Sequence, residues 1–317
     1  MLLILKAPQL KKGCPSCLCF DYATTNASTQ TMKTNFSALV FATFLLGSLS
    51  CASLAQTLPI SKDTSAMHTD LIKAFAPTGV LRASLNMGNP VLANRDAQGK
   101  PFGISIDLAM QLGKKLGVPV ELIVNETAGK SVATLEAGRA DVGFFAIDPE
   151  RGRDIAFTAA YVQIEGYYLV RANSNIQRND QVDAATNRVV VGKGSAYDLF
   201  LTRHLKHAPL ERVASSQVVV SSFLDKGFEV AAGVKQQLEA DTKGVNGVRL
   251  LAERFMVINQ AMGVPKTKGP EAALFLRTFV EEMKAQGVVK DSMTRYDIQG
   301  AGVGPAADPK VDPLTAP

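Results

Sequence analysis

Tryptophan is absent from this sequence, histidine occurs three times, and all four cysteines fall before residue 56. No Lys/Arg block follows residue 55 either, so the stacking and phosphate-binding features of nucleic-acid recognition are missing. The formal net charge of +5 does not restore them, because it is concentrated at the start of the chain. Residues 1–55 hold Lys6, Lys11, Lys12 and Lys33 against Asp21 alone; without them, 30 of the 34 basic and 28 of the 29 acidic side chains remain. Nucleic-acid binding is therefore not expected. Hydrophobic runs long enough to span a bilayer are also lacking. A chain of 317 residues, 46% hydrophobic and 20% charged, lies outside the disordered and fibrous classes and can bury one large core or two smaller ones.

The N-terminus carries a signal-peptide pattern that begins at an internal methionine. Met32 and Lys33 form a short positive start, Phe36 to Leu49 is apolar and uncharged, and Ser53-Leu54-Ala55 offers small residues at cleavage offsets. Residues 32–55 are thus expected to be a signal peptide and residues 1–31 a spurious extension upstream of the true start. Cys14, Cys17 and Cys19 lie close together, but no fourth ligand or histidine nearby completes a metal set. Cys51 could take lipid, although Ser48 stands where a large aliphatic residue is usual. The mature chain has no cysteine and needs no disulfide once its core is large enough.

Strand and helix patterns alternate from about residue 78 to 285. Strands are expected at Val80–Asn86, Val118–Val124 and Asp141–Ala146, with helices at Asp107–Leu116, closing at Gly117, and Ser131–Ala137, ending at Gly138. After an apolar run at Tyr167–Arg171 the pattern restarts. It has strands at Val189–Val191 and Glu229–Ala232 and helices at Ser195–Leu205, Gln217–Leu224 and Val234–Asp241. Phe255–Val264 is a second apolar run, Pro270–Gln286 an amphipathic helix, and Gly300–Pro317 a loose tail. The order βαβαβ implies mostly parallel sheets covered by helices, with ligand bound beyond the carboxyl ends of the strands.

Two such ends carry chemistry. After strand 141–146, Asp148 suits a helix N-cap and Pro149 the first helical position. Arg151 is then in the first turn of a short helix, on an exposed turn, placed to clamp a carboxylate in a bidentate pair. At Val190-Val191-Gly192-Lys193-Gly194-Ser195-Ala196-Tyr197 a strand runs through a glycine-rich turn into a helix. Tyr197 stands where a dinucleotide fingerprint needs its third glycine and where a nucleophile elbow needs glycine. What remains is a generic anion-binding turn with Ser195 at the helix N-terminus. His204 and His207 lie three apart on one helix, with no Cys, Asp or Glu nearby to complete a metal set. No catalytic triad and no pair of acids for acid–base work is evident, and neither metal nor cofactor is expected.

At these residues the chain resembles the family 3 extracellular solute-binding proteins, the polar amino-acid-binding components of ABC transporters. Five motifs occur in family order. Pro101-Phe102-Gly103-Ile104-Ser105-Ile106-Asp107-Leu108-Ala109 is similar to the family's helix opening, and Leu135-Glu136-Ala137-Gly138-Arg139-Ala140-Asp141-Val142 to its "L-x-x-G-x-x-D" segment. The Pro149-Glu150-Arg151 turn is followed by Phe157-Thr158-Ala159-Ala160-Tyr161, and Gly194-Ser195-Ala196 resembles the loop of the second lobe.

The resemblance implies a two-lobed α/β periplasmic binding fold (type II) with two hinge crossings, each lobe a mixed sheet flanked by helices. It implies one lobe over residues 56–170 that returns at 257–298, a second lobe at 171–256, and a flexible tail at 299–317. Arg151 would grip the ligand carboxylate, with backbone N–H groups around Ala146 and Ala196 assisting, and Asn86 to Pro90, including Asn89, would sense the ligand's side chain. The implied protein is a periplasmic monomer, not an enzyme. It would deliver a small carboxylate-bearing solute, an amino acid or organic acid, to an ABC permease in the inner membrane. A cyclohexadienyl dehydratase-like enzyme on the same scaffold is the alternative, and it needs a general acid in the cleft. Two departures from the family pattern bear on the ligand. Ala146 replaces a hydroxyl-bearing residue, and Val234 stands where an acid usually meets the ligand's α-ammonium. Glu229, five residues earlier, is the one acid that a shifted turn could bring there.

Overall fold

The computed structural model describes residues 62–308 and 310, all within the unit Pro59–Pro317. The signal-peptide pattern and all four cysteines lie outside the described residues.

The chain opens with α1 (Lys62–Phe75) and β1 (Leu81–Asn86), then a ribbon of β2 (Asn94–Arg95) and β3 (Pro101–Phe102). α2 (Ile104–Leu116), β4 (Val120–Asn125), α3 (Ala128–Glu136) and β5 (Val142–Ala146) follow. Leu108, Leu112 and Leu116 recur every fourth residue along α2 and are almost wholly buried where the helix meets β1 and β4. Burial of each side chain stabilises by roughly 1.5–3 kcal/mol. Gly117 ends the helix in the left-handed region, φ 70°, where a Cβ would be penalised. α3 starts at Thr127, whose hydroxyl accepts from the Lys130 amide at 3.2 Å.

A 17-residue strand, β6 (Ile155–Arg171), leads into the second βα unit. This unit comprises β7 (Val189–Gly192), α4 (Ala196–His204), β8 (Leu210–Val213), α5 (Val219–Lys226), β9 (Val230–Val234), α6 (Lys235–Asp241) and β10 (Val248–Leu250). The chain returns through β11 (Met256–Pro265) to α7 (Pro270–Ala285), α8 (Val288–Arg295) and the short β12 (Gly302–Val303).

The strand order is β4-β1-β5-β11-β6-β9-β7-β8, with β10 and β12 also on β6. Each half has the same plan. β4, β1 and β5 are parallel with β11 antiparallel at their inner edge, and β8, β7 and β9 are parallel with β6 antiparallel at theirs. The two lobes are therefore mixed sheets of matching order, joined by two long strands. Pairing changes hands at Gly166, which faces Met256 of β11 on one side and Val234 of β9 on the other.

Asp107 and Asp141, both in the family-like motifs, anchor the first lobe. Asp141, 1% exposed, accepts from Arg82 Nε at 2.8 Å and Lys268 Nζ at 3.0 Å. Asp107 accepts from Arg295 Nη1 at 2.9 Å and Tyr296 Oη at 3.0 Å, tying α8 to α2.

Several expectations need correction. The apolar run at 167–171 is only the end of β6, which starts twelve residues earlier because β11 pairs along that length. α2 begins at Ile104, ahead of Asp107. The helix expected after Asp148 is a single 3-10 turn, Arg151–Arg153. Part of the tail is paired: Gly302 and Val303 lie against Gln163 and Val162 of β6.

Candidate functional site

The carboxyl ends of one parallel pair of strands from each half meet one cavity, as the topology of open α/β sheets leads one to expect. From β1 come Asn86, Gly88 and Asn89, and from β5 Ala146 and then Arg151. Ser195, Ala196 and Tyr197 follow β7, and Gly233 and Val234 end β9. All six residues singled out in the sequence (Arg151, Ala146, Ser195, Ala196, Asn86 and Asn89) line this cavity.

Arg151 is 5% exposed, which corrects its expected place on an exposed turn. It is buried because both lobes close on it. Its Nη1 donates to the Ala146 carbonyl at 3.1 Å, and its Nη2 reaches the second lobe to donate to the Gly194 carbonyl at 2.9 Å. No carboxylate pairs with it among the described residues, and burial pushes its pKa down, partly offset by the fields of Asp148 and Glu150. It is also the one charged side chain among the described residues that line the cavity. A guanidinium stays protonated even there, so the cavity carries a single buried positive charge.

Asp148 does not cap an α-helix. Its Oδ1 accepts from the Glu150 amide at 2.8 Å, and its Oδ2 from Arg203 Nη2 of α4 at 2.7 Å. The lobes also touch at Gly194, φ 71°, where an added Cβ would stand 3.2 Å from the Gly129 Cα. Gln217 Nε2 donates across to the Met87 carbonyl at 3.4 Å.

The glycine-rich turn is less open to anions than its sequence implies. The Lys193 amide donates to the Val213 carbonyl, the Gly194 amide to Asp198 Oδ2 and the Ser195 amide to the Gly192 carbonyl. Ser195 Oγ caps the helix by accepting from the Asp198 amide at 3.0 Å. Only the first-turn amides of Ala196 and Tyr197 have no acceptor within the turn or the helix. Asn86 and Asn89 each use Oδ1 to brace their own loop, accepting from the Gly88 and Val91 amides.

Glu229 is held away from this turn. It stands at the start of β9, at the opposite end from Val234, and both its oxygens accept from Arg188. Those bonds pull its pKa below the usual carboxylate value. His204 is also engaged: it stacks on Phe200 with ring centroids 3.8 Å apart. No group of three metal-binding side chains occurs among the described residues.

Sequence reasoning missed Gln260, Gln237, Ser105 and Tyr197, which also line the cavity. Gln260 had a signal, since it and Asn259 interrupt an otherwise apolar strand.

Residues 81–298 match the model of the bacterial extracellular solute-binding proteins, family 3. The chain belongs to this family. The histidine-binding periplasmic protein of Salmonella typhimurium is 25% identical over 216 residues, covering 64% of this chain and 82% of that protein. Among solved structures, a solute receptor for L-cysteine from Neisseria gonorrhoeae superimposes with a TM-score of 0.63 at 21% identity, covering 72% of this family 3 protein and 94% of the receptor. An ancestral amino acid-binding protein, a precursor of cyclohexadienyl dehydratase, gives a TM-score of 0.60 at 19% identity, covering 71% and 98%. The structural likenesses show the two-lobed fold.

Proposed function

We propose that this family 3 protein is the periplasmic solute-binding component of an ABC importer. It captures a small carboxylate-bearing solute by lobe closure. One observation carries the ligand class: among the described residues Arg151, buried between the lobes, has no acid partner and is the sole charge lining the cavity. A buried unpaired charge is costly, and a ligand carboxylate offsets that cost with charge-assisted hydrogen bonds. The amides of Ala196 and Tyr197 and the polar ends of Asn86 and Asn89 supply further contacts. Both lobes contribute, so ligand favours the closed state, the shape a permease would read.

In this reading residues 32–55 direct export and residues 1–31 lie upstream of the true start. Residues 56–170 and 257–298 form the first lobe, 171–256 the second, and the mature protein is a monomer. Relatives named as periplasmic histidine-binding proteins support the compartment and the role. A dehydratase would need a general acid at the ligand, whereas Asp148 is engaged by Arg203.

A thermal-shift screen of small carboxylates against their primary amides tests the reading. A binding carboxylate at about 100 times its Kd adds roughly 2.7 kcal/mol of stability, and its amide should add far less. Stabilisation by amides equal to that by the acids would overturn the assignment of Arg151.

A further inference from the structure

β11 runs between β5 and β6 and brings Gln260 to the cavity. Side chains alternate between the two faces of a sheet, and the neighbours of Gln260 show which face is its own. Ile258, two residues earlier, also lines the cavity, whereas Asn259 between them bonds Gln163 on the other face. Gln260 stands opposite Ala146 of β5, a lining residue that shares its face, ends at Cβ and offers the amide no partner. Gln260 is 6% exposed, yet its amide makes no hydrogen bond among the described residues. Neither amide atom is sealed off: both keep accessible surface, on the face that looks into the cavity. Four amide side chains line the cavity among the described residues, and the other three are committed. Asn86 and Asn89 are tied through Oδ1, and Gln237 through Nε2 to Asp241. Gln260 alone of the four offers both a donor and an acceptor.

A ligand carboxylate is served without it. Arg151 has five N–H donors and gives two to the Ala146 and Gly194 carbonyls. The rest, with the Ala196 and Tyr197 amides, are enough for the roughly four acceptor sites of a carboxylate. Gln260 is therefore free for a second group. That group is uncharged, because a second carboxylate would need another cation and an ammonium would need an acid, and neither lines the cavity among the described residues. We infer that Gln260 determines specificity by pairing with a primary carboxamide of the ligand, so that the site selects half-amides of dicarboxylic acids; this rests on the carboxylate reading above. A carboxamide meets both ends of the Gln260 amide in one plane. A ketone would use Nε2 alone, and a hydroxyl, a single atom, cannot meet both ends at once. A site built to hydrogen-bond such a group rejects the analogue lacking it far more strongly than an apolar pocket rejects a missing methylene.

Calorimetry with two isosteric sets tests this: succinamate, 4-oxopentanoate and 4-methylpentanoate, and glutaramate, 5-oxohexanoate and 5-methylhexanoate. In the tighter-binding set the amide should bind at least about tenfold more tightly than the branched alkyl acid, with the ketone between them. In Gln260→Leu and Gln260→Met that ratio should fall to within about threefold. The alkyl acid should bind both variants at least as tightly as it binds wild type, which shows that they are folded. Equal binding of amide and alkyl acid by wild type overturns the inference, as does a ratio that persists in both variants. Failure of both amides to bind overturns it too. The carboxylate reading falls only if the thermal-shift screen of acids finds no binder.

Discussion

Arg203 of α4 donates to Asp148 Oδ2 at 2.7 Å, and the two residues belong to opposite lobes. Asp148 is buried while Arg203 is 38% exposed along its side chain, so the pair closes one rim of the cleft. Arg203→Ala should weaken ligand binding, because the closed state loses a contact that an open state cannot make. Truncating one member of a fully buried pair costs about 2–5 kcal/mol. Solvent screening at Arg203 reduces that to roughly 1–2 kcal/mol, or about 5- to 30-fold in Kd. Calorimetry reads the change, and the melting temperature without added ligand should move little.

Arg151 should dominate affinity. Arg151→Ala removes the charge that the carboxylate pairs with and should cost roughly 2–5 kcal/mol of binding. Arg151→Lys keeps the charge but loses the planar fork, and should still bind at least about tenfold more weakly. Because Arg151 is buried, the fold must be checked beside affinity. Removing an unpaired buried charge offsets the two lost carbonyl bonds, so the melting transition should stay cooperative.

Gly192 sets the turn that carries Ser195. A Cβ there would stand 2.7 Å from the Ser216 amide nitrogen and 2.9 Å from the Ser215 carbonyl carbon, both backbone atoms that must shift. Gly192→Ala should destabilise by about 1–3 kcal/mol, as overpacking does. It should also weaken binding, since Ser216 lines the cavity. Denaturant unfolding with and without ligand separates the two effects.

Asp141 makes acid stability predictable. Burial alone would raise its pKa, but the hydrogen bonds from Arg82 and Lys268 outweigh that and hold it below its ordinary value. A carboxylate with a depressed folded pKa adds stability that is present above the unfolded value, near 3.9, and is lost as pH falls through the folded one. Unfolding curves should therefore lose stability steeply below about pH 4. Asp141→Asn should flatten that loss while destabilising the neutral protein by about 3–5 kcal/mol, since Arg82 and Lys268 are left facing no charge.

Much of the fold was legible because it is local. The α2 leucine repeat and its stop at Gly117, and the apolar strands at 142–146 and 230–234, are written in short windows. β6 was cut short because Thr158, Ala159 and Ala160 give little β signal alone, and their conformation comes from β11, some hundred residues away. β8, with Glu211 and Arg212 at its centre, reads as loop and is fixed by pairing with β7. The cavity-lining residues at strand ends could be found from topology and motif. The burial of Arg151 could not, because it depends on the Gly194 carbonyl, 43 residues on in the other lobe. Gln237 looked like any polar residue on a surface helix until its Oε1 proved buried.

Among the described residues no negative charge lines the cavity, and this is the centre of the account. Val234 ends β9 there, and Glu229 is held by Arg188 at the far end of the strand. Isothermal titration calorimetry of the wild-type protein with an amino acid and its analogue lacking only the amino group tests this most directly. A buried ammonium without an acceptor of opposite charge is costly, so the analogue should bind more tightly. An amino acid that wins by tenfold or more, about 1.4 kcal/mol, would contradict the account, because some acid would then have to reach the ligand.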